Sequence, residues 1–185
     1  MNEEQEALLD WVLAGLNSGS VLRQARLSLK RGSRSDAGYL FCNMIAKYSL
    51  YCDEYDLSEG ALRQMTSDKI DPKEPQVLSR LYGRKKPYIY EHPIPARRVL
   101  GELLKFRTEE GSAPVSRAEV ARVLDFSCPP CVLLRAGEDG ELNKHHLRAG
   151  MPDGWNWGDD RFARYRAVGI QVSNVQMKVT GAVCR

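Results

Sequence analysis

No stretch of this 185-residue chain approaches the roughly 20 consecutive apolar residues that span a bilayer. The opening Met1-Asn2-Glu3-Glu4-Gln5-Glu6 is acidic where a secretory leader is basic. Both absences point to a cytoplasmic protein with no membrane partner. Cysteine is scarce and odd in number, and Cys42, Cys52, Cys128, Cys131 and Cys184 are irregularly spaced, which speaks against a disulfide framework. Neither sign of charge dominates. With 27 Lys and Arg against 24 Asp and Glu, a polyanionic partner has to be argued from clustering and not from net charge. Neither form of glycine-rich phosphate loop is present, nor is a Gly-x-Ser-x-Gly elbow, which excludes the commonest nucleotide-binding and hydrolase signatures. Repeats, low-complexity tracts and linkers are also missing, so residues 1–185 read as a single domain.

What is present is patterned. Leu8, Leu9, Val12, Leu13 and Leu16 recur at three- and four-residue spacing, predicting a helix over Glu3–Leu16 that Asn17-Ser18-Gly19 ends. A second helix from Ser20 turns Val21, Leu22, Ala25 and Leu29 inward and carries a basic flank of Arg23, Arg26, Lys30, Arg31 and Arg34, with Gly32-Ser33 as its break. Residues Asp36–Glu54 read as a buried helix. Shorter helices are predicted at Ser58–Met65, capped by Ser58, and at Pro75–Tyr82, opened by proline. The subregion 1–83 is therefore expected to be helical.

Beyond it the pattern becomes mixed. Tyr88-Ile89-Tyr90 has strand character. Ala96–Phe106 follows as a helix with Val99, Leu100, Leu103 and Leu104 inward, and Thr108–Pro114 reads as a loop. Ser116-Arg117-Ala118-Glu119 has the form of a capping box ahead of another helix. Cys131–Leu134 predicts a buried strand, followed by a turn at Gly137–Gly140 and a short helix to about Arg148, with Gly150 at its C-terminal cap. Trp155 and Trp157 pin a loop over Met151–Asp160; a helix over Arg161–Val168 and a strand over Ile170–Val179 complete the chain. The fold class is α+β, with a helix-rich N-terminal half and a small mixed or antiparallel sheet in the C-terminal half.

One short motif carries chemistry. Glu91-His92-Pro93-Ile94-Pro95 places an imidazole and a carboxylate where a strand gives way to a helix. It resembles the acidic-His-x-x-Pro opening of the His-Asn-His (HNH), or ββα-metal, endonuclease superfamily. That resemblance implies a metal-dependent nuclease or phosphodiesterase acting on DNA or RNA. His92 would be the general base that activates water, with Glu91 beside it. A divalent ion, Mg or Zn, would offset the charge developing on phosphate. The superfamily pattern continues with an asparagine and then a second histidine or asparagine; here the nearest are Asn143, His145 and His146, some fifty residues on. The implied metal ligands are Glu91, Asn143 and His146.

Other groupings offer different chemistry. Cys128-Pro129-Pro130-Cys131 with His145 and His146 supplies the ligand types of tetrahedral zinc, and its Cys-x-x-Cys is similar to the redox site of thioredoxin-like proteins. Asp139, Glu141 and Lys144 resemble the acidic pair plus lysine of restriction-type nucleases, with Glu-x-x-Lys in place of Glu-x-Lys. Arg84, Lys85, Lys86, Arg97, Arg98, Arg161 and Arg164, interleaved with Trp155 and Trp157, form a candidate nucleic-acid-binding set that neutralises phosphates and stacks on bases. The same features also fit a non-enzymatic regulator or inhibitor that binds nucleic acid or a protein partner.

Overall fold

The computed structural model describes residues 1–31, 37–77, 81, 87–107, 113–128 and 130–180. No helix among them is long and apolar enough to cross a membrane. Helix α1 (Glu3–Asn17) begins with a reciprocal cap in which the Asn2 side chain accepts from the Gln5 amide and the Gln5 side chain accepts from the Asn2 amide. Leu9, Val12 and Leu16 lie on its buried face. Helix α2 (Gly19–Arg31) buries Leu22 and Ala25, and α3 (Ala37–Leu50) buries Phe41, Ile45 and Tyr48. The helix predicted through Glu54 stops at Leu50, because residues Glu54–Ser58 form strand β1. Ser58 then caps α4 (Glu59–Ser67), its Oγ accepting from the Ala61 amide at 2.9 Å.

The helix predicted at Pro75–Tyr82 is corrected at its start. Gln76–Val77 is a short strand, β2, held by parallel pairing to residues 179 and 180; residues 78–80 and 82 lie outside the described set, as does the Gly32-Ser33 break. Strand β3 (Tyr88–Glu91) leads through Pro93-Ile94-Pro95 into α5 (Ala96–Leu103). Helix α6 (Arg117–Ser127) carries the predicted Ser116/Glu119 capping box. Strand β4 (Val132–Arg135) runs directly into α7 (Ala136–Lys144), where a turn at 137–140 was expected. The Glu138 carboxylate accepts from the Arg135 amide at 2.8 Å, so the helix starts with no intervening turn. It ends before Arg148, since His146 adopts a positive φ of 59° that breaks the helical path. The expected cap at Gly150 is thereby displaced. Helix α8 is the single turn Ala163–Arg166, and β5 spans Val172–Thr180.

The five strands form one mixed sheet in the order β2-β5-β1-β4-β3. β1 lies parallel to β4 and antiparallel to β5, while β3 runs antiparallel to β4. Helices are concentrated in the N-terminal half, and most of the sheet comes from the C-terminal half. One sheet face packs Tyr55, Leu57, Tyr88, Leu133 and Met177 with Ala61 and Met65 of α4. The other packs Val132 and Leu134 against Leu142, Tyr165 and Ile170. A third apolar cluster joins α1, α2, α3, α5 and α6, and Trp155 is part of it.

Candidate functional site

The Glu91-His92 corner lies where β3 hands over to α5, and its chemistry is governed by one buried cation. Arg164 of α8 is fully buried, and its guanidinium reaches the Glu91 carboxylate at 2.6 Å. It also donates to the backbone oxygens of His92, of Pro93 at 3.1 Å, of Leu147 at 2.9 Å and of Arg148 at 3.0 Å. A planar guanidinium with five N–H donors suits this task, whereas an ammonium could not cover the same spread of acceptors. Arg164 thus ties the strand-to-helix corner to the turn that follows α7. Burial raises the Glu91 pKa, and the Arg164 charge and hydrogen bond pull it back.

Burial, and after it the Arg164 charge, lower the His92 pKa from 6.5 to about 4. Its Nδ1 stands 3.5 Å from the Cys131 Sγ, and its ring meets that of Tyr90 edge-on. An imidazole with so low a pKa is neutral at physiological pH and a weak base toward water. Glu91, in turn, is committed to an arginine. The pair therefore act as a clasp between β3, α5 and α8.

The residues implied as metal ligands separate along similar lines. Asn143 and His146 are exposed at the end of α7, while the Glu91 carboxylate faces Arg164. Among the described residues, no group of three or more His, Cys, Asp or Glu side chains is placed to hold a metal ion. The zinc grouping also divides, with Cys128 and Cys131 buried and His145 and His146 exposed. The observed neighbour of Cys131 is His92, thirty-nine positions away in the chain, and no spacing pattern signals that contact. Asp139 of the acidic grouping approaches the Arg148 Nε at 3.5 Å, and Glu141 pairs with Lys144 at 2.6 Å on the surface.

The sheet register reveals a second use of arginine. Gln176, Asp56, Val132 and Glu91 are successive partners in one row across β5, β1, β4 and β3. Asp56 accepts from Gln176 at 2.9 Å and from Arg161 at 3.3 Å. Two carboxylates on one sheet face are therefore matched by two arginines three residues apart, Arg161 and Arg164. Of the two, Arg164 has no exposed surface, which removes it from the candidate nucleic-acid contacts, while Arg161 pairs with Asp56 and lies over the Phe162 ring.

Arg97, Arg98 and Trp155 do come together. They line an open cleft of about 410 Å³ between the first turn of α5 and the loop 149–155. The Arg98 guanidinium lies over the Trp155 indole, 5.5 Å from the ring centroid. That indole is fixed by its Nε1 donating to the Asp160 carbonyl at 2.9 Å, and by Trp157, which itself packs on Phe126. Trp157 is thus a neighbour of the cleft's tryptophan and is not itself part of the lining. Arg97 braces α5 against α2 through the Leu29 carbonyl. Arg84, Lys85 and Lys86 lie outside the described residues. Asp153 also lines the cleft, although in the sequence Pro152-Asp153-Gly154 carries only the signature of a turn. A second cavity, of about 450 Å³, has the opposite character, with Asp53, Glu54 and Asp125 beside Gln5 and Cys52.

Comparison with protein-family models, with curated proteins and with solved structures finds no match.

Proposed function

We propose that this chain is a nucleic-acid-binding protein that works without turnover, through the cleft between α5 and the loop 149–155. The observation that carries this reading is the convergence of Arg97 and Arg98 with an anchored Trp155 in one open concavity. Cations neutralise phosphates there, and the guanidinium of Arg98, held over the Trp155 indole, offers a planar group to a base. The Glu91-His92 corner supports the cleft instead of cutting a strand, because His92 is a weak base and Glu91 is held by Arg164.

Fluorescence anisotropy with labelled oligonucleotides over a salt series tests this. The wild-type chain is expected to bind with affinity that falls as salt rises. Arg97→Ala/Arg98→Ala is expected to bind more weakly, with a salt slope shallower by about 0.7 to 0.9 per lost phosphate contact. Equal affinity and slope in both proteins would remove the cleft from the interface. Incubation of DNA and RNA with Mg²⁺, Mn²⁺ or Zn²⁺ should leave both intact; cleavage that disappears in His92→Ala would replace this reading with the hydrolytic one.

A further inference from the structure

Resting on that reading, we propose that the cleft takes one nucleotide of a single-stranded nucleic acid, with its base laid on Arg98 and its amino edge directed to Asp153. Three observations lead there. The first is shape. Proteins read a duplex by pushing a helix or ribbon into a groove, and here the basic side chains border a hollow. A volume of about 410 Å³ falls in the range of sites that enclose a small ligand, and a paired, stacked duplex cannot offer one nucleotide to such a hollow without unpairing it.

The second observation is the stack. The Arg98 guanidinium lies over the Trp155 ring, 5.5 Å from its centroid, and Trp155 itself is only 8% exposed. The planar group that a ligand entering the cleft meets is therefore the exposed Arg98 guanidinium and not the indole beneath it. Unpaired bases stack on such guanidinium planes as well as on aromatic rings.

The third is the mixed sign of the lining. A site for bare phosphate has no use for a carboxylate, yet Asp153 lines the same hollow as Arg97 and Arg98. A carboxylate accepts from exocyclic amino groups, as on cytosine, and finds no donor of that kind on thymine, whose only ring N–H lies between two carbonyls. A nucleotide bearing an amino group satisfies both halves of the cleft, with its base on Arg98, its phosphate toward Arg97 and its amino edge toward the acid.

The test uses the full chain and labelled strands of about twelve nucleotides, as oligo-dC, oligo-dT and a mixed sequence, the last also annealed to its complement. The mixed single strand is expected to bind about tenfold more tightly than the duplex at matched salt, within what one base-stacking contact contributes. Oligo-dC is expected to bind more tightly than oligo-dT, and Asp153→Asn should erase most of that difference. Arg98→Lys keeps the charge but removes the plane; it should weaken single-strand binding several-fold with an unchanged salt slope. Duplex binding equal to or tighter than single-strand binding overturns the single-nucleotide assignment and leaves the nucleic-acid reading standing. An Asp153→Asn variant with undiminished preference for dC overturns the role of the acid. Binding of neither form overturns both proposals.

Discussion

Arg164 and His92 show how far the meaning of a single side chain depends on what surrounds it. In sequence, Arg164 is one of several arginines near a tryptophan loop; in the fold, it is a fully buried donor shared by Glu91 and four backbone carbonyls. Removing one partner of a buried ion pair strands the other. Arg164→Ala is therefore expected to lower unfolding free energy by about 3–5 kcal/mol in urea titration, and a loss below about 1 kcal/mol would contradict the clasp. For His92 the sign follows from its lowered pKa of about 4. The folded state resists protonation that the unfolded chain accepts near 6.5, so stability is retained above pH 6.5 and lost as pH falls toward 4. At 1.36 kcal/mol per pH unit the loss is at most roughly 3.5 kcal/mol. Glu91 and Asp56 oppose it, since their raised pKa values let the folded state hold protons more tightly on acidification. Thermal melts of wild type and His92→Gln across this window separate the terms: the variant should lose the His92 decline, and parallel curves would refute the assignment. None of this could be read from spacing, because the row Gln176-Asp56-Val132-Glu91 exists only once the register of four strands is known.

Among the elements, helices with an apolar stripe and a cap were legible. Residues around Leu9 and Leu16, the Ser58 cap and the Ser116/Glu119 box all predicted helices close to those observed. Strands with apolar or aromatic runs, β3 and β4, were legible too. β1 was not, because Glu-Tyr-Asp-Leu-Ser alternates polar residues into positions that prove buried, with Asp56 7% and Ser58 0% exposed. β2 was misread as helix because two residues of edge pairing leave no periodic trace. The junction of β1 with α4 also depends on α7. Ser58 Oγ donates to Glu138 Oε2 at 2.6 Å, and a Cβ on Gly60 would run into the same carboxylate. Gly60→Ala is expected to push Glu138 off both Ser58 and the Arg135 amide, costing about 1–3 kcal/mol by overpacking. A chemical-denaturation midpoint equal to wild type would mean that Glu138 can turn away freely.

At the scale of the whole molecule, the sheet joins distant parts of the chain. β1 receives β4 on one side and β5 on the other, with Glu54 opposite Lys178. A chain truncated after residue 171 loses β5, leaving β1 with an open edge and β2 without a neighbour. Such a chain is expected to lose cooperative unfolding and to scatter light at micromolar concentration, and a monomeric, cooperatively melting product would contradict that. The clustered helices and the cleft on α5 belong to the third apolar cluster, and Arg164, next to Tyr165 of the sheet's second face, holds the Pro93 carbonyl at the entry to α5. The placement of β1 also bears on synthesis. About 120 residues separate Glu54 from its partner Lys178, an interval on the order of ten seconds at ordinary rates of translation. Until β4 is made neither side of β1 has its partner, and from then until β5 is made one side stays unclaimed. The aspartate and serine that make β1 inconspicuous in the sequence also make it a poor template for a neighbouring chain, so its polarity guards the unfinished protein before it serves the finished one.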